Sequence, residues 1–338
     1  MHSSINIGIH RSNSLRNPST REETTERIKH STIMKKILII YHRIDFDGLC
    51  SMAIVRHWAV SQGMEVDLLG YTHGDSDPVI REDYHLVFVL DVCLDSDIMV
   101  SLNNHGKLVW IDHHNTSILE AADKGFDNAM GFREEGVGAC ELCWRFCHRY
   151  KATPLLVQLL STYDVWDKFS FNWEKETLPF QFGMRNRFDL DVEAFYRFFV
   201  QCVESGHIEE LVDEIMSDGK CILNYVRKTG KRACEAYGFE VDIDGGKVKG
   251  FCLLTAHFGA LGLEETMSEH GCKVAVCVNR HASSGTYKIS VYAASNDLGS
   301  FNIGSYMKEH YNGGGHRCAA GGTLTEEQFL RLLNEHCL

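Results

Sequence analysis

The feature that most constrains the fold of this chain is a short apolar run that ends on an acid and two histidines. The run is Leu108–Ile111, and Asp112, His113 and His114 follow it directly. A short apolar run of this kind is typical of a buried strand. In open α/β sheets, ligands bind outside the carboxyl ends of the strands. The pattern therefore predicts a parallel sheet with groups at one edge that can bind metal or carry protons.

A second strand is predicted to deliver one imidazole and two carboxylates to the same edge. The apolar run Ile37–Tyr41 leads into His42, Asp45 and Asp47, and a helix is predicted over Leu49–Val60. This donor set suits Mn²⁺ or Mg²⁺ better than a metal that prefers thiolates. The alternative is an aspartate-rich helix N-terminus, because Asp is favoured at that position.

Two more elements end on acids. The apolar run Leu86–Leu90 ends on Asp91, and an ionised carboxylate after five buried residues is costly unless it is paired or binds metal. A helix that opens at Pro154 leads to Asp164, with Asp167 as the alternative candidate. These acids extend the predicted cluster beyond the first two strands.

The C-terminal third changes character and predicts a second, smaller α/β domain. Gly245-Gly246 suits a hairpin turn between strands. The run Gly313-Gly314-Gly315-His316 lets backbone N–H groups approach a phosphate or carboxylate closely, and a flexible turn is the alternative. We expect four segments: a disordered or non-native extension over 1–33, an α/β domain with a parallel sheet over 34–204, a helical connector over 205–239, which could bend at Gly219, and the smaller domain over 240–338.

Composition narrows the class of protein. The net charge of −12 argues against tight binding of long nucleic acid, although bound divalent metals would reverse the sign locally. No apolar run approaches the about 20 residues of a membrane span. The thirteen cysteines are expected to be reduced thiols of a cytoplasmic protein. Cys140, Cys143 and Cys147 share one helix face, where buried thiols are favoured over a zinc site.

Together these elements resemble a known superfamily. Two divalent ions about 3.5–4 Å apart need about six protein ligands, which the acids and histidines above can supply. His42-x2-Asp45-x-Asp47-Gly48, Asp91, Asp112-His113-His114, Asp164 and Gly313–His316 resemble the motifs of the DHH phosphoesterases and their DHHA1 domain, over about residues 35–325. The sequences around Asp45, Asp164 and Gln181 look most like the branch of nanoRNA oligoribonucleases and cyclic-nucleotide phosphodiesterases, with exopolyphosphatase-like relatives.

The resemblance implies a role for each motif residue. His42 and Asp45 would hold one Mn²⁺, Asp47, His113 and Asp164 the other, and Asp91 would bridge the two. The catalytic pair would be Asp112, which orients a histidine ligand, and His114, which contacts the cleaved phosphate and protonates the leaving oxygen. The substrate would be held by Gly313, Gly314, Gly315, His316, Arg317 and Arg185.

The chain departs from the family pattern in the second domain. Asn312 and Arg317 stand where the family often has a further glycine and a proline, and the strand around Tyr292 lacks an arginine that many members carry. Arg280, Lys288, Arg317 or Arg185 could substitute for it, and for Arg185 an ordinary surface charge is the equal alternative.

The implied activity is hydrolysis of short oligonucleotides or related dinucleotides by hydroxide that two divalent ions activate, with Mn²⁺ as the first choice and Mg²⁺ as the alternative. The competing expectations are an exopolyphosphatase or a 3′-phosphoadenosine 5′-phosphate phosphatase on the same centre, and a nucleotide sensor without catalysis. The expected partner is a short oligonucleotide or small phosphorylated molecule, with no long duplex and no membrane. The oligomeric state is left open, with a homodimer as one option.

Overall fold

A computed structural model describes residues 35–170, 172–255, 259–295 and 297–338. The expected extension over 1–33 lies outside the described residues. The first sheet has four strands, all parallel, in the order β2-β1-β3-β4, which confirms the predicted α/β fold with a parallel sheet. Its strands are β1 Lys36–His42, β2 Glu65–Tyr71, β3 Leu86–Leu90 and β4 Leu108–Ile111.

Helices cover both faces of this sheet. Alternate residues of β1 point to opposite sides: Ile37 and Ile39 pack with α1, α4 and α5, whereas Leu38 and Ile40 pack with α2 and α3. Burial on both faces explains the continuous apolar runs of β1, β3 and β4, whereas β2, at the edge of the sheet, is less apolar and only half-buried. The helices are α1 Phe46–Ser61, α2 Ser96–Asn104, α3 Asn115–Lys124, α4 Ala139–Cys147 and α5 Leu155–Asp164. None of the thirteen cysteines, all of which lie in the described residues, forms a disulfide, and Cys140 and Cys143 are buried, as expected.

A helical layer follows the first sheet. It consists of a π-helical turn at Trp173–Thr177, α6 Leu178–Arg187, α7 Val192–Glu204 and α8 Ile208–Tyr237. α8 is helical on both sides of Gly219, and the possible bend at this residue stays a prediction. The structure shows a packing reason for glycine here: a methyl group at this position would collide with the carbonyl oxygen of Pro179 on α6. The glycine allows α6 and α8 to pack closely.

The second sheet is mixed, and it confirms the smaller α/β unit. Its order is β5-β6-β7-β8-β10-β9, with β6 and β7 parallel and the other pairs antiparallel. The elements are β5 Phe239–Ile243, β6 Val248–Leu253, α9 Gly259–Glu269, β7 Val274–Arg280, β8 Tyr287–Ala293, α10 Ile303–Tyr311, β9 Gly314–Gly315, β10 Ala319–Leu324 and α11 Glu326–Glu335. Gly245 and Gly246 have positive φ in the β5–β6 hairpin, as predicted.

The boundaries expected after residues 204 and 239 stay predictions. Within the part of the chain that the structure describes, no helix combines the length and the apolar character that crossing a membrane would require.

Candidate metal centre

The carboxyl ends of β1 and β3 bring together the first group of possible metal ligands. His42 is the last residue of β1, and its Nδ1 lies 2.8 Å from Asp45 Oδ2 and 3.6 Å from Asp91 Oδ2. Asp45 is also the N-cap of α1, where its other carboxylate oxygen accepts a hydrogen bond from Gly48 N at 2.9 Å. The capping alternative and the ligand cluster therefore coexist. A methyl group at Gly48 would collide with the carbonyl oxygen of His42, so the turn requires glycine.

A second group of ligands surrounds the imidazole of His113. Its Nε2 lies 3.1 Å from Asp164 Oδ2, 3.1 Å from Asp91 Oδ1 and 3.7 Å from Asp47 Oδ2. Asp164 is the last residue of α5, whereas Asp167 is exposed and caps the backbone N–H of Phe169. The structure therefore brings together Asp164, and not the alternative Asp167, with the other acids.

Asp91 lies between the two groups. One oxygen faces His113 and the other faces His42, and the residue is only 2% exposed. Its Oδ2 has no hydrogen-bond donor among the described residues. Asp91 adopts a φ of +59°, a left-handed conformation that Asp and Asn tolerate better than most residues.

The charges of the centre fit divalent cations. Burial, together with the charge of Asp91, raises the pKa of Asp47 to about 7, and burial together with Asp47 raises the pKa of Asp164. Carboxylates crowded in this way repel one another, and a bound cation would replace this repulsion by attraction to the ion. The two groups of ligand atoms, His42–Asp45–Asp91 and Asp47–His113–Asp164, are each compact enough to hold one ion. Oxygen and imidazole donors suit Mn²⁺ or Mg²⁺.

The N-terminus of α4 holds Asp47 in place, and sequence reasoning missed this. The backbone N–H groups of Ala139 and Cys140 donate to the two oxygens of Asp47 at 2.7 and 2.9 Å. A helix N-terminus stabilises a carboxylate in this position. At Gly138, a side chain would press on Ser161 and on Asp47 itself. The small residues Gly138 and Ala139 before Cys140 are the one sequence signal for this close contact.

Asp112 lies against His114. Its Oδ1 accepts hydrogen bonds from His114 Nδ1 at 2.7 Å and from the backbone N–H of His113 at 2.7 Å. Asp112 therefore fixes the ring of His114, and its expected role of orienting a histidine ligand stays a prediction. Burial opposes the charged imidazolium of His114, yet the charge and hydrogen bond of Asp112 outweigh burial and raise the pKa of His114.

The glycine loop of the second sheet closes over these histidines. The ring of His316 stacks on that of His114, with centroids 5.0 Å apart, and lies 4.8 Å from the ring of His113. Burial and the two neighbouring imidazoles lower the pKa of His316 to about 3. Side chains at Gly313 or Gly315 would collide with the backbone of β10, whereas Gly314 has open space.

Of the four basic residues considered for substrate binding, Arg185 lines the cavity beside the acids. This cavity has a volume of about 200 Å³ and is also lined by Asp45, Asp47 and Asp164. Arg185 Nη2 donates to the hydroxyl of Tyr163 at 3.2 Å. The structure pairs two of the others elsewhere: Arg317 donates to Gly299 O and Lys288 to Thr323 Oγ1.

Comparison with known proteins bears on the fold alone. No family model matches the chain. No curated protein matches it either. Among solved structures, the pGpG-specific phosphodiesterase PggH from Vibrio cholerae is 14% identical, with a TM-score of 0.50, and the match covers 89% of this chain and 97% of that one. An exopolyphosphatase-related protein from Bacteroides fragilis is 15% identical, with a TM-score of 0.52 and coverage of 89% and 91%. The chain therefore shares its fold with these two proteins.

Proposed function

We propose that this protein is a phosphodiesterase that uses two divalent cations, Mn²⁺ by preference, to hydrolyse short oligonucleotides or dinucleotides. The observation that carries the proposal is the pair of ligand groups that share Asp91. His42, Asp45 and Asp91 would hold one cation. Asp47, His113 and Asp164, with the second oxygen of Asp91, would hold the other.

The donor set indicates what bound cations would do. Two divalent ions would activate water at neutral pH and neutralise charge that develops on the phosphate. The buried carboxylates and imidazoles fix the geometry, and the N-terminus of α4 prevents Asp47 from rotating away. Positioning of this kind removes much of the entropic barrier of the reaction.

His114 is the residue best placed to hand a proton to the leaving oxygen. Asp112 accepts from its Nδ1, which fixes the orientation of the ring and favours the protonated form. A positioned acid of this kind contributes about 10²–10⁴-fold to rate. The stacked ring of His316 restricts His114 from the second sheet.

Charge and space favour a small substrate. The protein carries a net charge of −12, which disfavours a long polyanion. The cavity beside the acids is small, at about 200 Å³. The pGpG phosphodiesterase of similar fold is named for a dinucleotide, which makes pGpG the first substrate to test.

A second candidate is hydrolysis of polyphosphate or of 3′-phosphoadenosine 5′-phosphate on the same centre. One observation favours it: a structure with the same fold is described as exopolyphosphatase-related. The two ligand groups alone do not distinguish a phosphodiester from a phosphoanhydride, since both present phosphate oxygens to cations.

The test is a substrate panel with the purified protein. pGpG, unphosphorylated dinucleotides, longer oligonucleotides, polyphosphate and 3′-phosphoadenosine 5′-phosphate are each incubated with Mn²⁺, Mg²⁺ or EDTA, and mononucleotide and orthophosphate are quantified. We expect mononucleotide release from dinucleotides with Mn²⁺, and none with EDTA or with Asp91→Asn. Release of orthophosphate alone supports the second candidate. No product from any substrate contradicts both.

A further inference from the structure

The cavity beside the metal centre has aromatic walls. Tyr163 lies in the last turn of α5, Trp166 follows the end of that helix, and Tyr292 comes from β8 of the second sheet. The ring of Trp166 lies 5.5 Å from that of Tyr163 and 5.8 Å from that of Tyr292. These three rings line the cavity next to Asp45 and Asp164, and one face of the Tyr163 ring is covered by the parallel ring of Trp173, with centroids 5.8 Å apart. Aromatic side chains are the surfaces on which nucleobases stack.

Two buried polar atoms on this wall have no hydrogen-bond partner among the described residues. They are the acceptor Gln181 Oε1 and the donor Trp166 Nε1. Gln181 is 5% exposed and Trp166 is 7% exposed, and both line the cavity. Buried polar groups are almost always paired, and an unpaired one destabilises the fold. A bound ligand would supply the missing partners.

Arg185 lies one helical turn beyond Gln181 on α6, so the two side chains share a helix face. Its guanidinium lies 5.4 Å from the centre of the Tyr163 ring and also lines the cavity. The cavity thus combines flat walls, an amide, an indole N–H and a cation beside the acids. This is the chemistry of a site for a planar heterocycle attached to phosphate.

We propose that this cavity binds one nucleobase of the substrate, with Gln181 as the residue that recognises the hydrogen-bonding edge of the base. This inference rests on the proposed function and specifies its substrate. Gln181 Oε1 requires an N–H donor, which amino and imino groups of nucleobases provide and a polyphosphate chain lacks. A cavity of about 200 Å³ is smaller than the about 300–1,000 Å³ typical of drug-sized ligands, so it suits one ring system.

The test compares Gln181→Leu with the parent protein by binding. Titration of AMP, GMP, CMP, UMP and ribose 5-phosphate, followed by tryptophan fluorescence, measures affinity without hydrolysis. We expect the affinity for at least one nucleotide to fall about tenfold in Gln181→Leu, the value of one good hydrogen bond, and to fall much less for ribose 5-phosphate, which has no base. Gln158→Leu, an exposed position on α5, is the matched control and should bind nucleotides as the parent does.

Two further readouts keep the outcomes separate. Gln181→Leu removes an unpaired buried amide, so its melting temperature should equal or exceed that of the parent, which excludes misfolding as the cause of weaker binding. Equal nucleotide affinity in Gln181→Leu and parent, or no nucleotide binding by the parent, overturns the inference. Base-dependent binding without hydrolysis of any dinucleotide would instead refute the proposed function and leave the base site standing.

Discussion

Replacing Asp91 by Asn should weaken the binding of divalent cations without changing the backbone conformation. Asp91 has a φ of +59°, and Asn is one of the few residues that tolerates this conformation. The substitution keeps the shape of the side chain and removes the one charge that both ligand groups share. Both ion sites lose a ligand charge at once.

The size of the effect follows from ligand linkage. Free Mn²⁺ at 100 times its Kd stabilises a folded protein by about 2.7 kcal/mol. Loss of a hydrogen-bonding partner behind a ligand weakens metal binding about 10–100-fold, so loss of a shared ligand should weaken it by at least about 100-fold. At the same Mn²⁺ concentration the variant would then gain only about 0.4 kcal/mol. An unfolding entropy of about 2.1 cal/mol/K per residue gives about 1.4 °C per kcal/mol for 338 residues, so Mn²⁺ should raise the melting temperature by about 4 °C in the parent and by less than about 1 °C in the variant.

The assay is thermal unfolding with EDTA and with increasing Mn²⁺. Asp95→Asn is the matched control, because Asp95 is an exposed N-cap of α2 close to Asp91 in sequence, and Asn caps helices equally well. It should respond to Mn²⁺ as the parent does. An equal Mn²⁺ response in Asp91→Asn and Asp95→Asn would refute the reasoning that Asp91 joins the two sites.

Three other perturbations test separate parts of the structure. Gly138→Ala should reduce kcat/KM by about 100-fold, because the added methyl presses on Ser161 and Asp47 and a shift of about 1 Å is costly to catalysis; kinetics with unchanged far-UV circular dichroism would show this. Gly219→Ala should lower the free energy of unfolding by about 1–3 kcal/mol through the clash with Pro179, as measured in urea, and an unchanged midpoint would contradict the packing of α6 on α8. Mn²⁺ affinity should weaken as pH falls below about 7, because burial raises the pKa of Asp47 to about 7 and the protonated carboxyl cannot bind a cation; calorimetry at pH 7.5 and 5.5 would measure it, and a flat profile would count against Asp47 as a ligand.

The parallel sheet and its acidic edge were predictable because each strand carries its own signal. Apolar runs such as Leu86–Leu90 indicate burial on both faces, and parallel strands place their carboxyl ends at one edge. The spacing of His42, Asp45 and Asp47 then indicated a ligand group on local grounds. The fold confirms the sheet, and the geometry places His42 Nδ1 within 4 Å of carboxylate oxygens of both Asp45 and Asp91. The role of these side chains as metal ligands stays a prediction.

Other contacts depend on packing between distant segments, which no local pattern reveals. Glycine weakens a helix, which is why a bend is expected at Gly219, but the sequence does not reveal its close contact with Pro179, about 40 positions earlier in the chain. The N–H groups of Ala139 and Cys140 reach Asp47 from more than 90 positions away. The segment around Gln181 contributes to the family resemblance but assigns this residue no role, since only the three-dimensional cavity shows that its buried amide oxygen lacks a hydrogen-bond partner among the described residues.

The most direct test of the central claim is anomalous diffraction at the manganese edge from crystals grown with Mn²⁺. We predict two peaks about 3.5–4 Å apart, one beside His42 and Asp45 and one beside Asp47, His113 and Asp164, with Asp91 between them. Crystals of Asp91→Asn should lose at least one peak. Absence of manganese at these side chains in the parent protein, or manganese bound only elsewhere, would contradict the account.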